Sequence, residues 1–223
     1  VLPSYNGARK LPVLTPLLAL LLAQRGWPVL VHGHSTEERR ISSQAVLAAL
    51  GVDALTKLDA IQPGQVAFAP TALLLPGLAR LLDVRRALGL RSSAHSVVKL
   101  MDPLSPVAGD SLVVSSYTHP EFAISMAETI ALTGLDALLL RGTEGEPVAD
   151  PRRTPQMDAF RQGLRVPVQE AQTGSLARLP ELPTVIDAAS TAAYVRDILG
   201  DRLPVPAPIE KQLEHILRET GSS

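Results

Sequence analysis

The sequence predicts an α/β fold: a mainly parallel central sheet flanked by helices, with a small helical subdomain beside it. Three observations carry this. Apolar residues make up 46% of the 223 residues and aromatic ones only 3%, so the core is built from Leu, Val, Ala and Ile, as in parallel strands buried on both faces. Short apolar runs alternate with helical periods along most of the chain. Residues 71–105 break that alternation. They are leucine-rich, helical in period and interleaved with Arg80, Arg85, Arg86, Arg91 and Lys99.

Each element has its own signal. Thr15-Pro16 reads as N-cap and first helical residue, Gly26 as the stop, and the helix between is apolar almost all round, hence buried. "WPVLVHG" is a short buried strand. "SSQAVLAALG" is a helix capped by Ser42 or Ser43 and closed by Gly51, and "QVAFAP" is a strand ended by Pro70. "SLVVSSY" resumes the sheet. Thr118 and Glu121 have capping-box spacing ahead of a helix ended by Gly134, and "LDALLLRG" follows as a strand. Residues 144–165, with Pro147, Pro151 and Pro155, read as loop. "VPVQEA" is a late strand, and 186–199 and 208–219 are helical. The expected organisation is therefore residues 1–70 as the first part of the α/β domain, 71–106 as the helical excursion, and 107–223 as its second part.

Composition narrows the function. Net charge is −1, so nucleic-acid binding needs a local basic patch. There is no cysteine, which removes disulfides, thiolate chemistry and cysteine-ligated zinc. The apolar run Leu17–Ala23 is too short to span a bilayer and lacks the flanks of a signal peptide. No membrane partner and a cytoplasmic location are the expectations. The chain opens on Val1, almost directly on an element, and further helices are expected N-terminal to it.

Candidate sites are few. "PSYNGARK" ahead of the first helix has the position of a phosphate loop but a single glycine, Gly7, beside Arg9 and Lys10. His32 and His34 form an H-G-H at a strand end, open to a metal or to a structural or substrate-contact role. His119 reads as an exposed first-turn residue. Glu144, Glu146 and Asp150 follow a strand, as Mg²⁺ ligands or as a solvated acidic loop paired with Arg152 and Arg153. No serine lies in a nucleophile elbow.

The segments "VHGHSTEERRISSQAVLAALG", "VAFAP", "DVRRALGLRSS" and "LDALLLRGTEGE", in this order, resemble the anthranilate phosphoribosyltransferase family, which belongs with the class II nucleoside phosphorylases. The match covers most of residues 1–150. The resemblance implies an α/β domain plus a small helical domain that is the dimer surface. It also implies transfer from phosphoribosyl pyrophosphate with Mg²⁺ held by an acidic pair. This sequence departs from the family at those parts. The glycine-rich loop becomes "SYNGAR". The lysine before His-Gly falls on Val31, and the residues after it fall on His34 and Ser35. Glu37 and Glu38 enter the flexible loop, and the magnesium pair falls on Pro147 and Val148. Gly33, Ser43 and Arg85 survive, Arg85 matching an arginine used on the aromatic acid. These departures resemble the YbiB-type subgroup, which is associated with DNA binding.

The implied function is a transferase-like fold with a degenerate phosphoribosyl pyrophosphate site that binds nucleic acid with little sequence preference. The alternative is an active phosphoribosyltransferase on another acceptor. Phosphate contacts are expected from Tyr5, Asn6, Gly7, Arg9, Lys10, His32, Gly33, His34, Arg39, Arg40, Ser43, Arg85, Arg86, Arg91 and Lys99. No resident cofactor is expected. Under the transferase reading Mg²⁺ is required, with Glu144 and Glu146 as its nearest carboxylates. A homodimer through the helical subdomain is expected.

Overall fold

A computed structural model describes residues 1–105, 111–176 and 179–221. Three parallel strands, β1 (Leu2–Ser4), β2 (Val29–Gly33) and β3 (Val66–Pro70), form one sheet in that order. A second sheet holds β4 (Val113–Tyr117), β5 (Ala137–Arg141), β6 (Met157–Arg161) and β7 (Leu164–Gln169). β4 and β5 are parallel, and β6 and β7 are antiparallel additions at the edge. The two sheets meet at β1 and β4, where Val1 N donates to Leu112 O at 2.8 Å and Val114 N to Val1 O at 2.9 Å. The strands thus lie in the order β3-β2-β1-β4-β5-β6-β7. The connections reverse direction between β1 and β4, and in open α/β sheets the crevice at such a point is where ligands bind.

Helices cover both faces. α1 (Thr15–Gln24) is buried along most of its length and packs with α2 (Ser43–Ala49) and the two C-terminal helices, α7 (Ala188–Leu199) and α8 (Ala207–Glu219). α8 turns Ile209, Leu213 and Ile216 inward at helical spacing. α6 (Pro120–Thr133) covers the other face with Met126, Ala127 and Ile130. Along β5, Leu138 and Leu140 join the first core, and Ala137 and Leu139 the second, as the period of two requires.

Between β3 and β4 the chain is helical: α3 (Thr71–Leu74), α4 (Pro76–Leu88), α5 (Ala94–Val97) and a 3₁₀ turn, Val98–Leu100. Leu82, Ala94 and Val98 pack on Tyr5 and so hold this segment against the end of β1. Residues 106–110, at its expected end, lie outside the described residues. Among the described residues no helix is long and apolar enough to cross a membrane.

Four expectations are corrected. Residues 144–165 are not all loop, because β6 pairs with both β5 and β7, joined by Gln162 (φ 49°) and Gly163 (φ 79°) in a tight hairpin turn. Pro3 and Ser4, read as part of a loop over residues 3–10, belong to β1, which carries no period of its own and is held by its neighbours. Thr15 is the first helical residue rather than the cap, which is Leu14. Thr118 and Glu121 form no capping box, since the N-cap is His119 and no side chain caps the helix.

Leu138→Ala should cost about 2–5 kcal/mol, as Leu138 is fully buried in an interior strand, β5. Leu132→Ala, on the exposed face of α6, should change stability by about 0.5 kcal/mol or less. Urea denaturation of the two variants checks both.

Candidate functional site

The carboxyl ends of the strands converge on the loop that follows β1, residues 5–11. Its backbone N–H groups point at two carboxylates of the chain itself. Glu146, fully buried, accepts on Oε1 from Asn6 N and Gly7 N, each at 2.8 Å. Its Oε2 accepts from the hydroxyls of Ser4, Thr15 (3.1 Å) and Ser43 (3.2 Å). Glu144 Oε1 accepts from Lys10 N at 2.8 Å, Leu11 N at 3.0 Å and Arg9 N at 3.2 Å, while Arg40 Nη1 lies 3.3 Å from Oε2. A short loop of N–H groups that converges on one oxygen is an anion nest. Both nests are filled from within.

Backbone geometry enforces this. Glu144 is left-handed (φ 51°, ψ 21°), a conformation uncommon outside glycine, and Asn6 Nδ2 donates to its carbonyl at 2.8 Å. Gly145 follows at φ 86°, and a Cβ there would collide with the Asn6 side chain. Between the loop and residues 34–44 the free space shrinks to about 10 Å³, room for roughly one water.

Outside the filled nests lies an open cleft of about 430 Å³. Among the described residues Arg9, Lys10, Arg40, Arg85 and Arg91 line it, against two carboxylates, Glu37 and Glu144. Glu37 is spoken for by Arg85 at 2.7 Å and Arg40 at 3.3 Å. Burial would raise its carboxyl, but these arginines outweigh that and hold it below the usual range. Arg91 feels burial first, then the like charges of Arg85 and Arg40, and all lower its guanidinium. Arg9, Lys10 and Arg91 have no ion-pair partner among the described residues.

The remaining candidates are dispersed. Tyr5 and His32 are buried together, Tyr5 Oη 2.7 Å from His32 Nδ1, with His32 Nε2 3.2 Å from Met101 O. The Nε2–H donates to that carbonyl, so Nδ1 accepts from the phenol. His34 bonds Asp83 at 2.9 Å. Among the described residues no cluster of metal-ligating side chains joins the two histidines. Gly33 is needed for packing, since a Cβ there would strike Ser4 O. Ser43 belongs to the Glu146 cluster. Arg86 is held by Asp83 and by Ser35 O, Arg39 is exposed outside the cleft, and Lys99 is buried and does not line it. The solvated reading of the acidic loop holds only for Asp150, which pairs with Arg152 at 2.7 Å, while Arg153 bonds backbone carbonyls. The burial of Glu146 overturns it there. The one available signal was two carboxylates flanking Gly145 just after a strand end.

The positions the resemblance gives to the magnesium pair carry no side-chain oxygen. Val148 is buried, and the Pro147 carbonyl accepts from Gln212 Nε2 at 3.1 Å. The oxygens of Glu144 and Glu146 are already engaged by N–H and O–H donors. These residues do not fit a magnesium–pyrophosphate complex.

The fold is that of the phosphoribosyltransferase-like transferases. The anthranilate phosphoribosyltransferase of Thermus thermophilus superposes over 99% of this chain and 68% of its own, with TM-score 0.65 at 22% identity. The Saccharomyces cerevisiae enzyme, in complex with PRPP and Mg, superposes over 98% of this chain and 63% of its own, with TM-score 0.61 at 14% identity. In sequence the chain is 37% identical to the uncharacterized protein YbiB of Escherichia coli K12, over 100% of this chain and 70% of that protein. It is 26% identical to the anthranilate phosphoribosyltransferase of Synechococcus sp. JA-3-3Ab, over 82% of this chain and 58% of that one. No family model matches the sequence. The chain belongs to the anthranilate phosphoribosyltransferase-like family, in its YbiB-type subgroup.

Burial holds the His32 imidazole down at about 3, against 6.5 for the free side chain. Between those values the unfolded chain binds more protons than the folded one, so stability falls as pH drops through that window. Thermal melts of His32→Gln should lose less stability between pH 6.5 and 3 than the wild type does.

Proposed function

We propose that this protein holds a degenerate phosphoribosyl pyrophosphate site and binds the phosphate backbone of nucleic acid, DNA in particular, in the adjoining basic cleft. The observation that carries the reading is the double occupancy of the loop after β1. Its N–H donors are engaged by Glu146 and Glu144, so pyrophosphate would have to expel two carboxylates, one of them fully buried. Phosphoribosyl transfer to anthranilate is not expected. Turnover with Mg²⁺ at about 1 s⁻¹ or faster would contradict this.

The surplus of cations over carboxylates in the cleft supports an anionic partner, although net charge is only −1. Guanidinium and ammonium groups without a base-reading element favour backbone contacts, which carry no sequence code. Arg9 and Lys10 are exposed and unpaired among the described residues, so they are free to release counterions from a strand. Replacing both by alanine should weaken binding to duplex DNA and flatten the slope of log K against log salt by about 1.8, two contacts' worth. Fluorescence anisotropy across a salt series reads this. An unchanged slope removes the loop from the interface, and no binding by the wild type at low salt removes the reading.

The apolar residues left exposed around α4, namely Leu75, Leu81, Val84, Leu88 and Leu90, support assembly as a homodimer through the helical segment. A dimer doubles the cleft. Sedimentation of the full-length protein should show it at micromolar concentration, and a monomer there contradicts it.

A further inference from the structure

Beside the cleft is a second pocket of about 400 Å³, a volume typical of small-ligand sites. It shares Arg91, Thr118 and His119 with the cleft, and it is otherwise built from α5, the 3₁₀ turn after it, and the end of β4 and start of α6. Arg91, His95, Lys99 and His119 are its basic members, and no carboxylate is among the described residues that line it.

Of these groups Lys99 is buried without a counter-ion, and His95 carries a ring nitrogen without a partner among the described residues. Lys99 is 6% exposed and donates from Nζ to Gly145 O at 2.7 Å and Ser116 O at 3.3 Å, with no carboxylate in ion-pair reach among the described residues. An ammonium has three donors, and two carbonyls leave one over. Burial lowers Lys99 to about 8, so it is still cationic at neutral pH. His95 is 7% exposed. Its Nδ1 accepts from Ser92 N at 3.3 Å, which puts the proton on Nε2, and Nε2 has no partner among the described residues. A buried donor without an acceptor is disfavoured. Tyr117, Phe122 and Met126 also line the pocket and give it an apolar wall with two aromatic rings.

We propose that this pocket binds a nucleotide monophosphate, its phosphate on Arg91, Lys99 and the hydroxyls of Ser92, Ser93 and Ser96, and its base against Phe122. A phosphate suits the donor set because it offers three acceptor oxygens and up to two charges to several cations and hydroxyls at once. The apolar wall suits a planar base. Two sources present this chemistry: a free mononucleotide, or the phosphorylated end of a strand lying in the cleft. Only the second rests on the nucleic-acid reading.

Isothermal titration calorimetry of the intact protein tests it, with AMP and inorganic phosphate as probes. AMP should bind with Kd of about 1 mM or tighter, and more tightly than phosphate. Phe122→Glu, at a position 40% exposed and so tolerant of the change, should weaken AMP at least about tenfold. Ser93→Glu, on the exposed rim, should do the same should the first variant fold poorly. No heat with either probe, or AMP affinity equal in wild type and both variants, would overturn the site. Equal affinity for AMP and phosphate would overturn the nucleotide assignment. A short oligonucleotide that binds more tightly with a 5′-phosphate than with a 5′-hydroxyl assigns the pocket to strand ends. Equal affinity there, with AMP bound, assigns it to the free mononucleotide. Wild-type protein that binds the oligonucleotide but not AMP counts against the pocket, and wild type that binds AMP but not the oligonucleotide counts against the cleft.

Discussion

The buried carboxylate of Glu146 is the constraint on which the rest of the site depends. A carboxylate leaves water only when its lone pairs are met by donors, and here five meet it: Asn6 N, Gly7 N and the hydroxyls of Ser4, Thr15 and Ser43. Those donors come from the end of β1, the loop after it, the start of α1 and the start of α2, while Glu146 itself follows β5. One side chain therefore clamps both halves of the sheet at the point where the strand order reverses. Hydrogen bonds to a charged group are worth about 1.5–3 kcal/mol each, so the clamp is strong as well as central.

Glu144 extends the same logic outward. Its carboxylate takes the N–H groups of residues 9–11, and its left-handed backbone brings it there. An anion is thus built into the loop in the place where the transferase reading would put pyrophosphate. The charges that would have served that anion do not vanish. Arg9, Lys10 and Arg91 face an open cleft, while Arg40 and Arg85 are partly neutralised by Glu37. A filled inner nest and an unfilled outer cleft favour a ligand that stays at the surface, such as a phosphate backbone.

Elements with a strong local signal were legible in the sequence. The uniformly apolar "TPLLALLLA" with Pro16 at its start could only be a buried helix, and "VLVHG" and "ALLL" could only be strands buried on both faces. Elements defined by their neighbours were not. β1 has three residues, too few for a period, and exists because β2 and β4 flank it. β6, "MDAFR", sits among prolines and alternates weakly, and its strand character comes from pairing on both sides. The site failed to read through for a related reason. Acidic residues in a Gly- and Pro-rich loop are usually solvated, and nothing local in "TEGEP" says that five donors from distant segments wait for one of them. The basic residues of the cleft were visible one by one. Which of them are free was not, because Arg85 meets Glu37 and Arg40 meets Glu144 only once the chain is folded.

The occupied loop can be observed directly. Inorganic pyrophosphate titrated into isotope-labelled protein, with the backbone amides of Asn6, Gly7, Lys10 and Leu11 followed by NMR, reports on the donors that hold Glu146 and Glu144. These amides should stay unshifted up to about 1 mM pyrophosphate, because both nests are already filled. A saturable shift of all four at lower concentration, with Mg²⁺ or without, would show that the loop still accepts an external anion and would contradict the self-occupied site.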